Sequence, residues 1–262
     1  FAAGLAAQGM RPFLTVYSTF MQRAYDQVIH DIAIQNLPVV ICMDRAGLVG
    51  NDGPTHHGNF DLSYLSAVPG ATVVAPRDGN ELRSMMHYAA RHDFDGLVAI
   101  RYPRDIVPTP MTDQVEAIDW GTWEWMTETS DVVVLAVGAM VKEMTGALDI
   151  LNEQGHRLAL VNARFIKPMD LTSLEWIREN AGTVITVEEN GPRGSFGEAV
   201  GAYLIEHAFG GRFHAITLPD RFVVVQYGHG NEGIWGHTAK DEAAVLWRQW
   251  RLVNGRELYD IQ

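Results

Sequence analysis

The chain has 262 residues, with 20 Lys and Arg against 32 Asp and Glu and a net charge of −12, for a sequence pI near 5.2. A hydrophobic fraction of 47% with 20% charged residues excludes wholesale disorder, and the acidic balance argues against a nucleic-acid binder, because neutralising phosphates takes a basic surface. One cysteine, Cys42, allows no internal disulfide, and no apolar run approaches the ~20 residues of a membrane-spanning helix, so the expected location is cytoplasmic, with no membrane partner.

The opening F-A-A-G-L-A-A is apolar but follows no basic stretch. It reads as a helix already under way, not a signal peptide, and with no initial Met it predicts a piece of a longer chain. Residues 12–17 (P-F-L-T-V-Y) and 39–43 (V-V-I-C-M) are continuous apolar runs, as in strands covered on both faces; 71–75 and 97–101 are similar. Between the first two, Thr19 with Gln22 signals a helix start, and Phe20, Ala24 and Val28 recur every four residues. Asp78 with Glu81 opens a second helix bearing Leu82, Met85, Met86 and Ala89. Periodicity then lapses over a proline-bearing, acidic stretch, read as a linker at 105–122. A second series follows: a strand at 131–137, a helical face of Val141, Met144, Leu148 and Leu151, a strand at 158–163, a helix at 170–180, a strand at 183–187 and a last helix at 240–252. Strands alternating with helices predict the α/β class: two parallel or mostly parallel sandwich domains, 1–104 and 123–262.

The densest polar segment, D-R-A-G-L-V-G-N-D-G-P-T-H-H-G-N-F-D at 44–61, directly follows a predicted strand. In open parallel sheets ligands bind beyond the carboxyl ends of strands. Arg45, Asp52, His56 and His57 supply a cation, a carboxylate and two bases that are near neutral at physiological pH. The competing reading is a surface loop held by glycines and Asx turns. Adjacent histidines without a C-x-x-C or H-E-x-x-H partner motif make a poor metal site. Arg101, at another strand end, can grip a phosphate or carboxylate with its fork, or pair with one of the many acids. Tyr17-Ser18-Thr19-Phe20 sits at a strand-to-helix junction, where Phe20 either stacks on a heteroaromatic ring or fills the core. Cys42, within an apolar strand, reads as inert core. Trp120, Trp123 and Trp125 read as packing at the junction of the two halves.

Three stretches, Y-S-T-F-M-Q-R-A-Y-D-Q (17–27), D-R-A-G-L-V-G-N-D-G-P-T-H-H-G (44–58) and R-Y-P-R (101–104), resemble the 1-deoxy-D-xylulose-5-phosphate synthase family of the transketolase superfamily. R-F-I-K-P-M-D (164–170), V-E-E-N (187–190) and L-P-D-R-F (218–222) extend the likeness in register over nearly the whole chain. The resemblance implies a pyrimidine-binding domain followed by a transketolase C-terminal domain. It also implies a thiamine-diphosphate-dependent condensation of pyruvate with D-glyceraldehyde 3-phosphate to 1-deoxy-D-xylulose 5-phosphate and CO2, feeding isoprenoid and thiamine synthesis. By the same likeness, Phe20 stacks on the cofactor's aminopyrimidine and Arg23 lies at that cofactor site. Tyr17, Arg45, Asp52 and Arg101 line the substrate pocket, and His56 is the catalytic acid–base group. The family's Mg²⁺ and diphosphate belong to an N-terminal domain outside the matching region, as does its catalytic glutamate. Family analogy implies a homodimer. Asp105 stands where the family usually has Gly, and residues 223–236 are longer and richer in Gly and His than the family pattern. The β subunit of a 2-oxo-acid dehydrogenase shares the two-domain layout and is the alternative enzyme. A non-catalytic dimerisation platform is the alternative of another class.

Overall fold

The chain builds two five-stranded sheets to the same plan. The computed structural model describes residues 1–91, 94–107, 111–112 and 114–223; the expected helix at 240–252 and all but the first residue of the Gly/His-rich 223–236 lie outside them. In the first sheet, β1 (Phe13–Tyr17), β2 (Val40–Asp44), β4 (Val98–Arg101) and β3 (Thr72–Val74) run parallel in that order. The edge strand β8 (Phe165–Lys167) joins β3 antiparallel and comes from the second half. In the second sheet, β10 (Arg212–Ile216), β9 (Thr183–Val187), β6 (Val132–Ala136) and β7 (Ala159–Asn162) run parallel, and β5 (Glu124–Trp125) closes the edge antiparallel. The α/β class with mostly parallel sheets is therefore the observed one. Every residue of β4 and β7 is buried, as continuous apolar runs require when helices cover both sheet faces.

Three helices stand where their patterns put them, at Gly79–Arg91, Met140–Glu153 and Leu171–Asn180, and a fourth, Phe196–Glu206, was not expected. Asp78 caps the first, its Oδ1 accepting the Glu81 N–H at 2.9 Å. Asp170 caps the third through the Ser173 N–H. The expected start at Thr19 is displaced. Helical structure begins at Ser18, and the Thr19 hydroxyl donates to the Thr55 carbonyl at 3.1 Å. Residues 18–33 then pass from an α-turn through a 3₁₀ turn to wide π turns at Val28–Ala33. The buried face is Met21, Val28 and Ile32, spaced seven and four residues apart, and Phe20, one position before Met21, turns outward at 44% exposure. Cys42 is fully buried, and burial pushes its thiol up to about 11.

The two halves share one continuous apolar cluster, from Ala6 and the first sheet to Phe196 and Leu204. The tryptophans lie at their junction: Trp120 stacks on Tyr88 at 4.4 Å and meets Phe165 edge-on, and Trp123 does the same to Phe196. A polar seam accompanies them. The Asn162 amide donates to Glu81 at 2.9 Å and to Glu124 at 3.2 Å, and Arg77 and Arg164 bring the balancing charge. Among the described residues no helix is long and apolar enough to cross a membrane.

Candidate active site

Parallel register delivers three strand ends to one edge. Tyr17 lies opposite Asp44, and Met43 opposite Arg101, so Tyr17, Asp44-Arg45 and Arg101 emerge together at the carboxyl side of the first sheet, where open α/β sheets bind ligands. The loop after β2 folds back over this edge. Gly47 and Gly58 exchange N–H···O bonds of 2.7 and 2.9 Å, and the Ala46 N–H donates to the Tyr102 carbonyl. Gly58 admits no side chain, since a Cβ there would lie 2.4 Å from Ser18 Oγ and from the Arg45 carbonyl.

The result is an aromatic and imidazole cluster held by ion pairs. Tyr17 and Phe20 stack at 5.1 Å with planes 9° apart. His56 meets Phe20 edge-on at 5.3 Å and lies 6.4 Å from Tyr17. The Arg45 guanidinium sits 3.8 Å above the Tyr17 ring, where cation–π attraction holds it. Its Nε donates to Asp52 Oδ2 at 3.0 Å and its Nη1 to Asp44. Desolvation acts to lower the Arg45 pKa, but the Asp52 bond and the charges of Tyr17 and Asp44 outweigh it and hold the group above its ordinary range. Arg45 also takes a φ of 57°, a left-handed conformation costing roughly 1–3 kcal/mol outside glycine. His56 Nδ1 lies 3.0 Å from the Thr55 hydroxyl, leaving Nε2 for a ligand. Arg23, in the turn after Phe20, is exposed.

Two predicted neighbours have other surroundings. His57 is 3% exposed, and its Nδ1 accepts the Val49 N–H at 3.1 Å; burial lowers its pKa, so it is a neutral structural histidine. Among the described residues no group of three or more His, Cys, Asp or Glu is placed to hold a metal. Arg101 is 5% exposed and pairs with the wholly buried Asp61, Nε to Oδ2 at 2.9 Å; its Nη2 lies 3.4 Å from the Gly58 carbonyl and 3.5 Å from that of Glu189. Of the two readings of Arg101, the structure builds the ion pair. Arg104, three residues on, is half exposed and reaches Asp52 at 3.5 Å. The sequence offered R-Y-P-R without saying which arginine faces out.

The second half supplies the back wall. At the end of β9, Glu188 accepts the N–H groups of Phe196 (3.0 Å) and Gly197 (2.7 Å), capping the helix Phe196–Glu206. Burial pushes its carboxyl up to about 7. Glu189 Oε1 accepts the Leu48 N–H at 3.3 Å, and the Asn190 amide donates to Ser63 Oγ at 2.8 Å. The sequence reading gave no role to Asp61, Arg104 or Glu189. Each lies inside a stretch it marked, 44–61, R-Y-P-R and V-E-E-N, without being singled out.

The transketolase pyrimidine-binding domain family matches residues 1–110, and the transketolase C-terminal domain family matches residues 121–232. "1-Deoxy-D-xylulose-5-phosphate synthase 1" of Geobacter sulfurreducens is 48% identical over 225 residues, 85% of this chain and 35% of that protein. The Aquifex aeolicus "1-deoxy-D-xylulose-5-phosphate synthase" is 47% identical over 237 residues, 89% of this chain and 36% of that protein. The chain thus spans about a third of the length of these curated relatives. A solved "split gene transketolase, inactive beta4 tetramer" superposes with a TM-score of 0.78 at 26% identity, covering 96% of this chain and 77% of that one. The chain belongs to the transketolase family, carries its pyrimidine-binding and C-terminal domains, and is similar to 1-deoxy-D-xylulose-5-phosphate synthases.

Proposed function

We propose that this chain forms the pyrimidine-binding and C-terminal part, near 1–104 and 123–262, of an enzyme that condenses pyruvate with D-glyceraldehyde 3-phosphate to 1-deoxy-D-xylulose 5-phosphate and CO2. The observation that carries the reading is the Tyr17–Phe20–His56–Arg45 cluster at the carboxyl edge, built from the two motifs most specific to that family. Thiamine diphosphate fits it. Phe20 has one face covered by Tyr17 and is 44% exposed, leaving the other for an aminopyrimidine ring. When bound, that cofactor supplies the electron sink on which pyruvate loses CO2. Arg23, exposed in the turn three residues after Phe20, would meet the same cofactor. By the family likeness, Mg²⁺ and the diphosphate would be held by the N-terminal domain that precedes these two in the family.

The chain's own residues then bind, orient and move protons. His56 Nε2 exchanges a proton with the oxygen of the bound substrate, its ring fixed through Nδ1 by Thr55. Tyr17 and Asp52 hold Arg45 in place, and Asp52 also faces Arg104. Arg45 and Arg104 are the charges at the open side that suit the phosphate of the aldehyde, with buried Arg101 behind them positioning the loop.

The test is product analysis of the full-length protein given pyruvate and glyceraldehyde 3-phosphate. Formation of deoxyxylulose phosphate is expected. Acyl transfer to lipoyl-lysine without it would replace this reading by the dehydrogenase β subunit. The 262-residue chain alone is expected to assemble, as a homodimer or larger, without turnover and without tight binding of thiamine diphosphate. The structural relative, a beta-chain tetramer described as inactive, supports that expectation. Micromolar binding of thiamine diphosphate to the isolated chain in calorimetry would overturn it.

A further inference from the structure

Glu189 belongs to the C-terminal half, yet its side chain ends in the loop that carries the active-site cluster. Its Oε1 accepts the Leu48 N–H at 3.3 Å, across 141 residues of sequence. Its Oε2 and Cδ fill the space over Gly47, where an added Cβ would come within 2.5 and 2.8 Å of them. Its own carbonyl lies 3.5 Å from Arg101 Nη2, and the same nitrogen reaches the Gly58 carbonyl. Gly47 and Gly58 are the two residues whose paired bonds close the loop on itself. One residue of the second half therefore touches both ends of the loop, once with its carboxylate and once through Arg101. Between those ends lie Asp52, Thr55 and His56.

We propose that Glu189 is a positioning residue: it clamps the loop 44–58 from the C-terminal domain and so sets the placement of Arg45 and His56. This rests on the active-site reading above only for its consequence in catalysis; the clamp itself is a statement about the loop.

The charges around the carboxyl make the clamp sensitive to pH. Burial pushes Glu189 up to about 7. Arg101 on β4 and the Leu48 N–H favour its ionised form, whereas Glu143, on the helix Met140–Glu153, and Asp105, after β4, oppose it. Lys142, 4.0 Å from Asp105, offsets the latter. The closed arrangement thus favours a neutral carboxyl and loosens as pH rises through about 7. A glutamine keeps an acceptor for the Leu48 N–H and cannot ionise.

Hydrogen exchange followed by mass spectrometry on the full-length protein tests this. In Glu189→Ala, peptides covering 44–58 should lose about five- to tenfold in protection, the scale of one lost hydrogen bond, while peptides of the helix Phe196–Glu206 keep theirs. In Glu189→Gln, protection should match the wild type at pH 6 and stay level to pH 8, where the wild type declines once intrinsic rates are corrected. Turnover should follow the loop, falling in the alanine variant and returning with glutamine. Unchanged protection of 44–58 in both variants would overturn the clamp. A pH step that survives in Glu189→Gln would belong to Glu188 or another group and would overturn the pH dependence assigned to Glu189. Loop protection that responds as expected in a protein that makes no deoxyxylulose phosphate would uphold the clamp and reject the reaction.

Discussion

The two sheets share a plan, four parallel strands and one antiparallel edge, but use their carboxyl edges differently. In the second half the groups at the end of β9 are consumed by the scaffold: Glu188 accepts two N–H groups of the next helix, Ser195 caps the same helix, and Asn190 reaches across to Ser63 of the first half. In the first half the groups at the ends of β1 and β2 stack sideways on one another. Phe20 stays exposed, and Arg45 carries a left-handed backbone. An edge whose polar groups are satisfied locally becomes a support; an edge whose groups are strained and half-open can meet a ligand. Arg101 and Glu189 join the two, so the support reaches the site through a buried ion pair and one carboxylate.

The largest effect that could break this comparison is at that joint. Arg101→Ala leaves Asp61, which has no solvent exposure, without its partner. Removing one member of a buried ion pair costs about 3–5 kcal/mol, and denaturant unfolding should show a loss of that size. A change below about 1 kcal/mol would mean that Arg101 faces the pocket in solution, and the substrate reading of its fork would return. Next comes His56→Ala. Losing a positioned acid–base group lowers turnover by about 10²–10⁴, while unfolding stability should stay within about 0.5 kcal/mol, as for sites outside the core. Near-normal turnover would remove His56 from the chemistry.

A third variant acts on the supporting edge alone. Burial raises the Glu188 carboxyl to about 7, above its value in an unfolded chain. Its contribution to stability is therefore complete below about pH 4.5 and is lost as pH climbs through about 7. Glu188→Gln fixes the neutral form. It should flatten the decline in unfolding free energy between pH 5 and 8, leaving the part due to Glu189. An unaltered pH slope would show that Glu188 is already ionised in the folded protein, held by its two N–H donors and Arg101.

The fold was legible in the first half, where apolar runs mark β2 and β4 and the intervening helix has a clear cap at Asp78. It was less legible where elements are short or borrowed. β5 has two residues and β8 three, too few for periodicity, and β8 pairs outside its own half. The helix Phe196–Glu206 did leave a signal, Ser195 with Glu198, which the surrounding glycines concealed. The site divides in the same way. Tyr17, Phe20, Arg45, Asp52 and His56 sit on two contiguous motifs, and strand register brings those motifs together. Whether an arginine faces in or out depends on a partner such as Asp61, forty residues away, and no local pattern encodes that. Phe20 stood between ring stacking and core in the sequence; its neighbour Met21 takes the buried position and leaves Phe20 exposed.

The smallest predicted effect separates the two arginines of R-Y-P-R. Arg104 is half exposed, and its contact with Asp52 at 3.5 Å is an open one, so Arg104→Ala should alter stability by less than about 0.5 kcal/mol. If Arg104 lends its charge to a bound phosphate, the variant should raise KM for glyceraldehyde 3-phosphate about three- to tenfold, the range of one exposed charge-assisted contact, and leave KM for pyruvate alone. The difference between variant and wild type should shrink as salt is added, because an exposed charge is screened within a Debye length of about 8–10 Å. Removing Arg104 also takes a competing cation from Asp52, which then bonds Arg45 alone. A fall in KM would therefore mean that the Arg45–Asp52 pair is the phosphate-binding unit and that Arg104 draws Asp52 away from it.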